Sequence, residues 1–198
     1  KEVLGSWGEG AAAAANGQEP GDIKVQDVDG NGVITTDDRI IYSQRPDVTF
    51  GFNNTFNYKG FDLSVFLYAR LGQWIAYDYN TTYRINALEN GGNVDYWTPE
   101  NPTNAFPRPN KSKSYTQVTY YSTLKYEDGS FFKIRDITLG YTFKPELLKH
   151  LNLSRLRVYA TAKNFFTFSK IDNYDPEQGG SISFPMTKQL VFGLNVEF

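Results

Sequence analysis

The segment DVDGNGVITTDD, Asp27 to Asp38, is the stretch whose residue types and spacing prescribe a metal site. Asp27, Asp29 and Asn31 offer side-chain oxygens at loop positions one, three and five, Gly32 follows, and Asp38 stands at position twelve. An EF-hand loop is spaced this way: the backbone carbonyl of the seventh residue, here Val33, joins the side-chain donors, and the ninth, Thr35, binds by its hydroxyl or through water. Hard oxygen donors in this number select calcium over transition metals. Aspartate replaces the usual glutamate at the twelfth position, so closure is weaker and Asp37 becomes an alternative ligand. Ile34 is expected to pack inward, Ile23 to Gln26 to be strand-like, and 37–43 to form a short turn of helix. The same residues also read as a series of tight turns held by Asx hydrogen bonds. On either reading the role is structural.

Little else in the chain could do covalent chemistry. There is no cysteine, which removes disulfides and thiolate ligands, and the single histidine, His150, lies in the polar connection KPELLKHLNLS and reads as solvated. No pair of carboxylates is placed at a scissile bond, and ENGGN lacks the lysine and hydroxyl partner of a phosphate cradle. Twenty basic and 22 acidic residues give a net charge of -2, so nothing points to nucleic acid. Binding residues are sought instead among the loop aromatics. Trp74 and Trp97 head that set, with Tyr77, Tyr79 and Tyr83 nearby; such rings stack on sugar faces or peptide side chains, or else pack within the loops.

The segments between these loops show a period of two. Phe52, Phe56 and Tyr58 alternate with small or polar residues, Lys59-Gly60 reverses the chain, and Phe61, Leu63, Val65, Leu67, Ala69 and Leu71 then share one face. Ile137, Leu139, Tyr141 and Phe143 align in the run Phe131 to Phe143, and Leu156, Val158, Ala160 and Ala162 in the run Arg155 to Phe168. The last run, Gln189 to Phe198, alternates to the final residue. The class is all-β. These runs have the roughly 10 residues that a tilted strand needs to cross a bilayer, whereas no uninterrupted apolar run approaches the roughly 20 of a spanning helix.

Two architectures fit alternation of this kind. In a soluble sandwich the apolar face meets a second sheet; in an outer-membrane barrel it meets lipid while polar residues such as Asp62, Arg70, Arg157 and Lys163 line the lumen. Connection lengths favour the barrel, because short links at Lys59-Gly60 and 144–154 alternate with long loops at 72–130 and 169–188. Tyr58, Phe61, Tyr141, Phe143 and Phe198 gather at the short-link end as an interfacial girdle would, with Phe166 and Phe168 towards the other rim. The terminal GLNVEF, carried by Gly193, Val196 and Phe198, resembles the insertion signal read by the barrel-assembly machinery of Gram-negative outer membranes. Phe192 departs from the polar residue usual at its position.

Four blocks in order carry a more specific resemblance. PGDIKVQDVDGNGVITTDDRIIYSQRPDVTFGFNNTFNYKGFDLSVFLYARLGQ, DYWTPENPTNAFPRP, YEDGSFFKIRDITLGYTF and LRVYATAKNFFTFSKIDNYDPE together resemble the carboxy-terminal part of SusC/RagA-type TonB-dependent outer-membrane transporters of Bacteroidetes. The resemblance implies the C-terminal antiparallel strands of a large transmembrane β-barrel, of roughly 22 strands, with long extracellular loops. On this reading 1–21 is a Gly/Ala-rich loop segment, 22–47 an extracellular loop with the calcium motif, and 48–198 about five barrel strands. No signal peptide is legible before Asp22, and the chain reads as part of a longer one whose plug domain and TonB box lie elsewhere. The resemblance further implies no enzyme activity, a cell outer membrane location, and import of glycan oligomers or peptides with a SusD-like surface lipoprotein and TonB. Two alternatives stand beside it: a soluble, secreted, calcium-stapled β-sandwich that binds carbohydrate, and a secreted hydrolase.

Overall fold

The computed structural model describes residues 3–6, 18–79, 95–108 and 123–198. Tyr83, the alanine run at Ala11 to Ala15 and ENGGN lie outside them. The described strands are β1 (Val3–Ser6), β2 (Ile23–Val25), β3 (Val48–Tyr58), β4 (Phe61–Leu71), β5 (Trp74–Ala76), β6 (Tyr126–Asp128), β7 (Phe131–Thr142), β8 (Arg155–Ser169) and β9 (Gln189–Glu197), with one short helix, α1 (Pro145–Leu148), between β7 and β8. They fall into two compact units: Lys1–Gln44, Trp74–Glu127 and Gly179–Ile182 form one, and Arg45–Gln73, Asp128–Gln178 and Ser183–Phe198 the other.

The second unit is built on a five-stranded sheet in the order β3-β4-β7-β8-β9, every pair antiparallel. Its first turn follows from backbone sterics. Lys59 (φ 47°) and Gly60 (φ 90°) both take positive φ, the twist that lets a two-residue turn join right-twisted strands. A Cβ at position 60 would stand 2.8 Å from the Thr142 carbonyl, so only glycine fits without displacement. The other short link is α1, a 3-10 turn over Lys149–Leu151, and left-handed Asn152, whose N–H bonds the Lys149 carbonyl; Leu148 anchors it, 2% exposed.

Register assembles one apolar face from all five strands. Phe52 lies opposite Leu67 and Phe56 opposite Leu63; Leu63 meets Leu139, Leu139 meets Ala160, and Ala160 meets Phe192. This face is uncovered: Phe56 is 61% exposed, Phe192 74% and Leu194 67%. Contiguous apolar surface of this extent marks an interaction or membrane face. The remaining described sheets, β1-β2 and β5-β6, are pairs of three- or four-residue strands, which are not the second large apolar sheet a sandwich needs. An 11-residue strand such as β4 spans about 37 Å at about 3.4 Å per residue, and a tilt of about 40° brings its vertical reach to about 28 Å, near the hydrocarbon thickness of a bilayer. No helix among the described residues is long and apolar enough to cross a membrane.

The alternation is interrupted once, in two adjacent strands. Between Ile134 and Asp136, β7 carries Arg135 as an extra residue against β4, and β8 answers with Asn164 and Phe165 opposite Arg135. Asn164 holds φ at 58°, so the slip is absorbed as a bulge with a left-handed residue. Phe132 and Ile134 thereby stay on the same face as Ile137, Leu139 and Tyr141, which strict alternation would have split.

Candidate functional site

The polar face of the sheet carries cross-strand pairs of opposite charge. Arg157 on β8 donates from Nε to Asp62 Oδ1 on β4 at 2.8 Å, reaching over Gly140 of the intervening β7, where any Cβ would stand 2.5 Å from both groups. The Arg157 guanidinium also lies 4.9 Å from the Tyr159 ring centre. Tyr159 is opposite both Gly140 and Gly193, and its ring occupies the space a side chain at Gly193 would need. A large ring on one strand therefore meets glycine on each neighbour, which keeps close packing without clash. Farther along, Thr138 and Thr161 share a hydroxyl hydrogen bond of 2.9 Å and Lys163 stands 3.9 Å from Asp136.

At the end of the sheet away from the short links, the chain after β8 folds back across this polar face. Lys133 has no exposed surface; its Nζ donates to Asp175 Oδ1 at 2.8 Å and to Glu177 Oε2 at 2.7 Å, and Arg135 reaches Glu177 Oε1 at 3.0 Å. Burying an ammonium is tolerable only with such partners. Arg70 donates to the Tyr68 hydroxyl at 2.8 Å, and Arg135 lies 5.3 Å over the same ring. Of the four polar residues singled out in the sequence, Asp62 and Arg157 are thus brought together, while Lys163 and Arg70 take other partners.

The first unit holds the metal-type loop. One carboxylate oxygen from each of Asp27, Asp29 and Asp38 falls within 4.8 Å of the others. Local hydrogen bonds form the cup: Asp27 accepts from Gly30 N at 2.8 Å and Gly32 N at 2.7 Å, Asn31 Oδ1 accepts from Val33 N at 2.8 Å, and Thr35 Oγ1 accepts from Asp37 N at 3.2 Å. Asp38 is fully buried and accepts from Val28 N at 2.8 Å and Thr35 N at 2.5 Å. Asp38 is thus the carboxylate at the end of the loop that joins the cluster, and exposed Asp37 is not part of it. Two local expectations are corrected. Ile34 is 37% exposed because the loop is held by hydrogen bonds and encloses no apolar core of its own, and the backbone after Asp37 forms a turn, Arg39 N to Thr36 O, without becoming a helix.

The tryptophans divide. Trp74 opens β5 and packs at a tilt on Tyr42, centroids 4.6 Å apart, and Tyr126 stacks on Tyr42 at 5.4 Å. Trp97 is 6% exposed and lies against Gly21, where a Cβ would overlap its ring; Tyr77 and Tyr79 are buried as well. The WTPENP block is a self-tied turn. Asn101 Nδ2 and Thr103 Oγ1 each donate to Asp95 at 2.8 Å and hold its carboxyl below the usual range. In the terminal strand Val196 lies on the apolar face, and Phe198 follows the last paired residue, Glu197.

An open antiparallel sheet with one wide apolar face, one charged face, short links at one end and long loops at the other is a section of a transmembrane β-barrel wall. No family model matches the chain. It is similar to TonB-dependent receptor P3 of Formosa agariphila, 31% identical over 98% of this chain and 21% of that receptor, and to TonB-dependent receptor SusC of Bacteroides thetaiotaomicron, 31% identical over 87% of this chain and 17% of SusC. Among solved structures it is similar to the RagAB peptide importer in its closed-closed state, with TM-score 0.66, 26% identity and coverage of 90% of this chain and 21% of that one, and to the RagAB peptide transporter, with TM-score 0.65, 26% identity and coverage of 81% and 18%. The resemblance to SusC/RagA-type TonB-dependent receptors is borne out, and the chain spans about a fifth of the length of these relatives. The apolar face is accordingly the lipid side and the charged face the lumen side.

Proposed function

We propose that the chain is the wall and loop section of an outer-membrane transporter that imports glycan oligomers or peptides, driven through TonB and assisted by a SusD-like surface lipoprotein. The observation that carries this reading is the five-strand apolar face, with large exposed side chains on β3 and β9 and a charged opposite face. The named relatives support it as TonB-dependent receptors and a peptide importer. No step of the reading needs a catalytic group. Fractionating the native organism and purifying the full-length protein in mild detergent tests it: recovery from the outer membrane with a surface lipoprotein is expected, and a soluble, solitary protein would overturn it.

We further propose that the 27–38 loop holds calcium as a structural staple for an exposed segment. Asp27, Asp29 and Asp38 would bind it by carboxylates, joined by Asn31, the Val33 carbonyl and Thr35. The donor set suits the ion in kind, since one carboxylate oxygen from each of Asp27, Asp29 and Asp38 lies within 4.8 Å of the others and calcium takes hard, mostly anionic oxygens. Calorimetric titration of the full-length protein with calcium should show one site lost in both Asp27→Ala and Asp29→Ala. Unchanged binding in both variants would place the metal elsewhere.

A further inference from the structure

We propose that the recess over the loop end of β8 is a subsite for one sugar ring of an oligosaccharide cargo. The proposal rests on the import reading and narrows its cargo to glycan. Three observations build it. First, the β8 bulge sets Asn164 in the left-handed region at φ 58°, on the wall of a cavity of about 300 Å³. Bulges commonly re-aim a side chain beside a binding site.

Second, the chain after Ser169 is pinned at Asp175 and Glu177 by Lys133. Asp172, Asn173 and Tyr174, which precede the pinned residues, line the recess together with Thr167 from the strand and Lys188.

Third, three charged or amide side chains here are uncommitted. The side chains of Asp172, Asn173 and Lys188 make no hydrogen bond or ion pair with other described residues, and Asn164 uses its Nδ2 on the Thr187 carbonyl at 3.2 Å, keeping Oδ1. A carboxylate that only accepts, an ammonium that only donates and amides that do both fit a ligand whose every hydroxyl donates and accepts. Tyr174 adds a ring wall against which a sugar face can lie.

The volume is at the small end of ligand cavities, about 300–1,000 Å³, and suits one ring. A peptide backbone is a poorer fit. It binds best along a free strand edge, and both edges of β8 are already paired, to β7 and β9.

The test uses the full-length receptor in detergent, with calorimetric titration of maltohexaose, laminarihexaose, cellohexaose and mannohexaose and, separately, a tryptic casein peptide pool. Asp172 and Asn173 are exposed, so Asp172→Ala and Asn173→Ala should leave folding and outer-membrane level unchanged. Binding of at least one hexasaccharide, weakened about tenfold or more by each substitution, is expected. Saccharide binding that both variants leave intact overturns the subsite. Failure of every hexasaccharide to bind, or a peptide signal that the variants abolish, overturns the glycan class. Deleting the whole gene and following the organism's growth on its own glycans and peptides reports on the import reading independently. A deletion without effect on uptake is a failure of that reading, whatever the titrations give.

Discussion

Lys133→Met should release the segment that crosses the lumen face. The substitution keeps the aliphatic stem and removes the ammonium from a site with no exposed surface, leaving Asp175 and Glu177 with side chains only 12% and 10% exposed. Removing one partner of a buried ionic cluster costs about 3–5 kcal/mol, because the remaining charges are stranded. Arg135 still meets Glu177 at 3.0 Å, so one carboxylate keeps a cation and the lower end, about 3 kcal/mol, applies. That loss falls on the opening of the segment and not on the sheet, whose ladder is untouched, and it raises the open population about 150-fold. Hydrogen exchange on the full-length receptor reads it at two amides, Glu177 N on Asp175 Oδ1 at 3.0 Å and Gln178 N on the Asp175 carbonyl at 3.1 Å. Both should exchange about 10²-fold faster while amides of β7 and β8 do not change. Adding Asp175→Asn and Glu177→Gln to Lys133→Met should recover most of the protection, since no charge is then left buried. Exchange within about threefold of wild type in the single variant would make buried Pro176 the anchor and the charges incidental.

Further expectations concern the terminal strand and the loop ends. Gly193→Ala puts a methyl group where the Tyr159 ring lies, so less receptor should reach the heat-modifiable folded form on gels, and adding Tyr159→Ala should restore part of it; equal folding of Gly193→Ala and wild type would remove the glycine from the argument. Asp128, at the end of β6, has its carboxyl held below the usual range by the Ser130 hydroxyl and backbone N–H and by Lys170 at 3.0 Å. Its folded value lies below the unfolded one, so its contribution is complete above the unfolded value of about 3.9 and disappears as pH falls below that through the lowered folded value. Protection of the Ser130 amide, compared between wild type and Asp128→Asn, should therefore differ by a constant factor from neutral pH down to about pH 4 and converge below it; convergence at a pH well above that would contradict the assignment.

What the sequence disclosed was whatever has a local period. From Phe61 to Leu71 every second residue is apolar, so the face, length and hairpin partner of the strand could be read from residue types, and register then placed Leu63 and Leu139 opposite each other as that period requires. The oxygens of the 27–38 loop were legible for the same reason, because an EF-hand loop is a spacing within a dozen residues. Contacts between distant segments left no such mark. Lys133 reads as an ordinary polar-face residue until Asp175 and Glu177, 42 and 44 positions away, are brought onto it. Phe66 and Val191 look apolar and yet belong to the polar face by register, opposite Asp136 and Thr161. Only the shift from Ile134 to Ile137 in the β7 pattern could have hinted at the bulge, and an odd spacing between apolar residues is also what a strand end produces.

The bulge is where two demands on the wall meet. Each strand must give alternate residues to lipid, and slipping by one would turn every apolar side chain into the lumen. The lumen face at the loop end must also present Arg135 and Asn164 outside the ordinary pleat. An extra residue in β7 alone would have put β8 out of register, so the slip recurs in β8 as Asn164 with Phe165, and Ile134 returns to face Phe166 on the lipid side. The strained residue is thus confined to a position that faces the recess, while the lipid side continues as if no residue had been inserted. Loops built on such a wall are free to change without altering how the wall meets the bilayer. Asn164→Gly tests that separation: it should relieve the positive φ, leave the receptor's heat-modifiable folded fraction unchanged, and weaken saccharide binding. A fall in folded receptor would show that the asparagine serves the wall and not the recess.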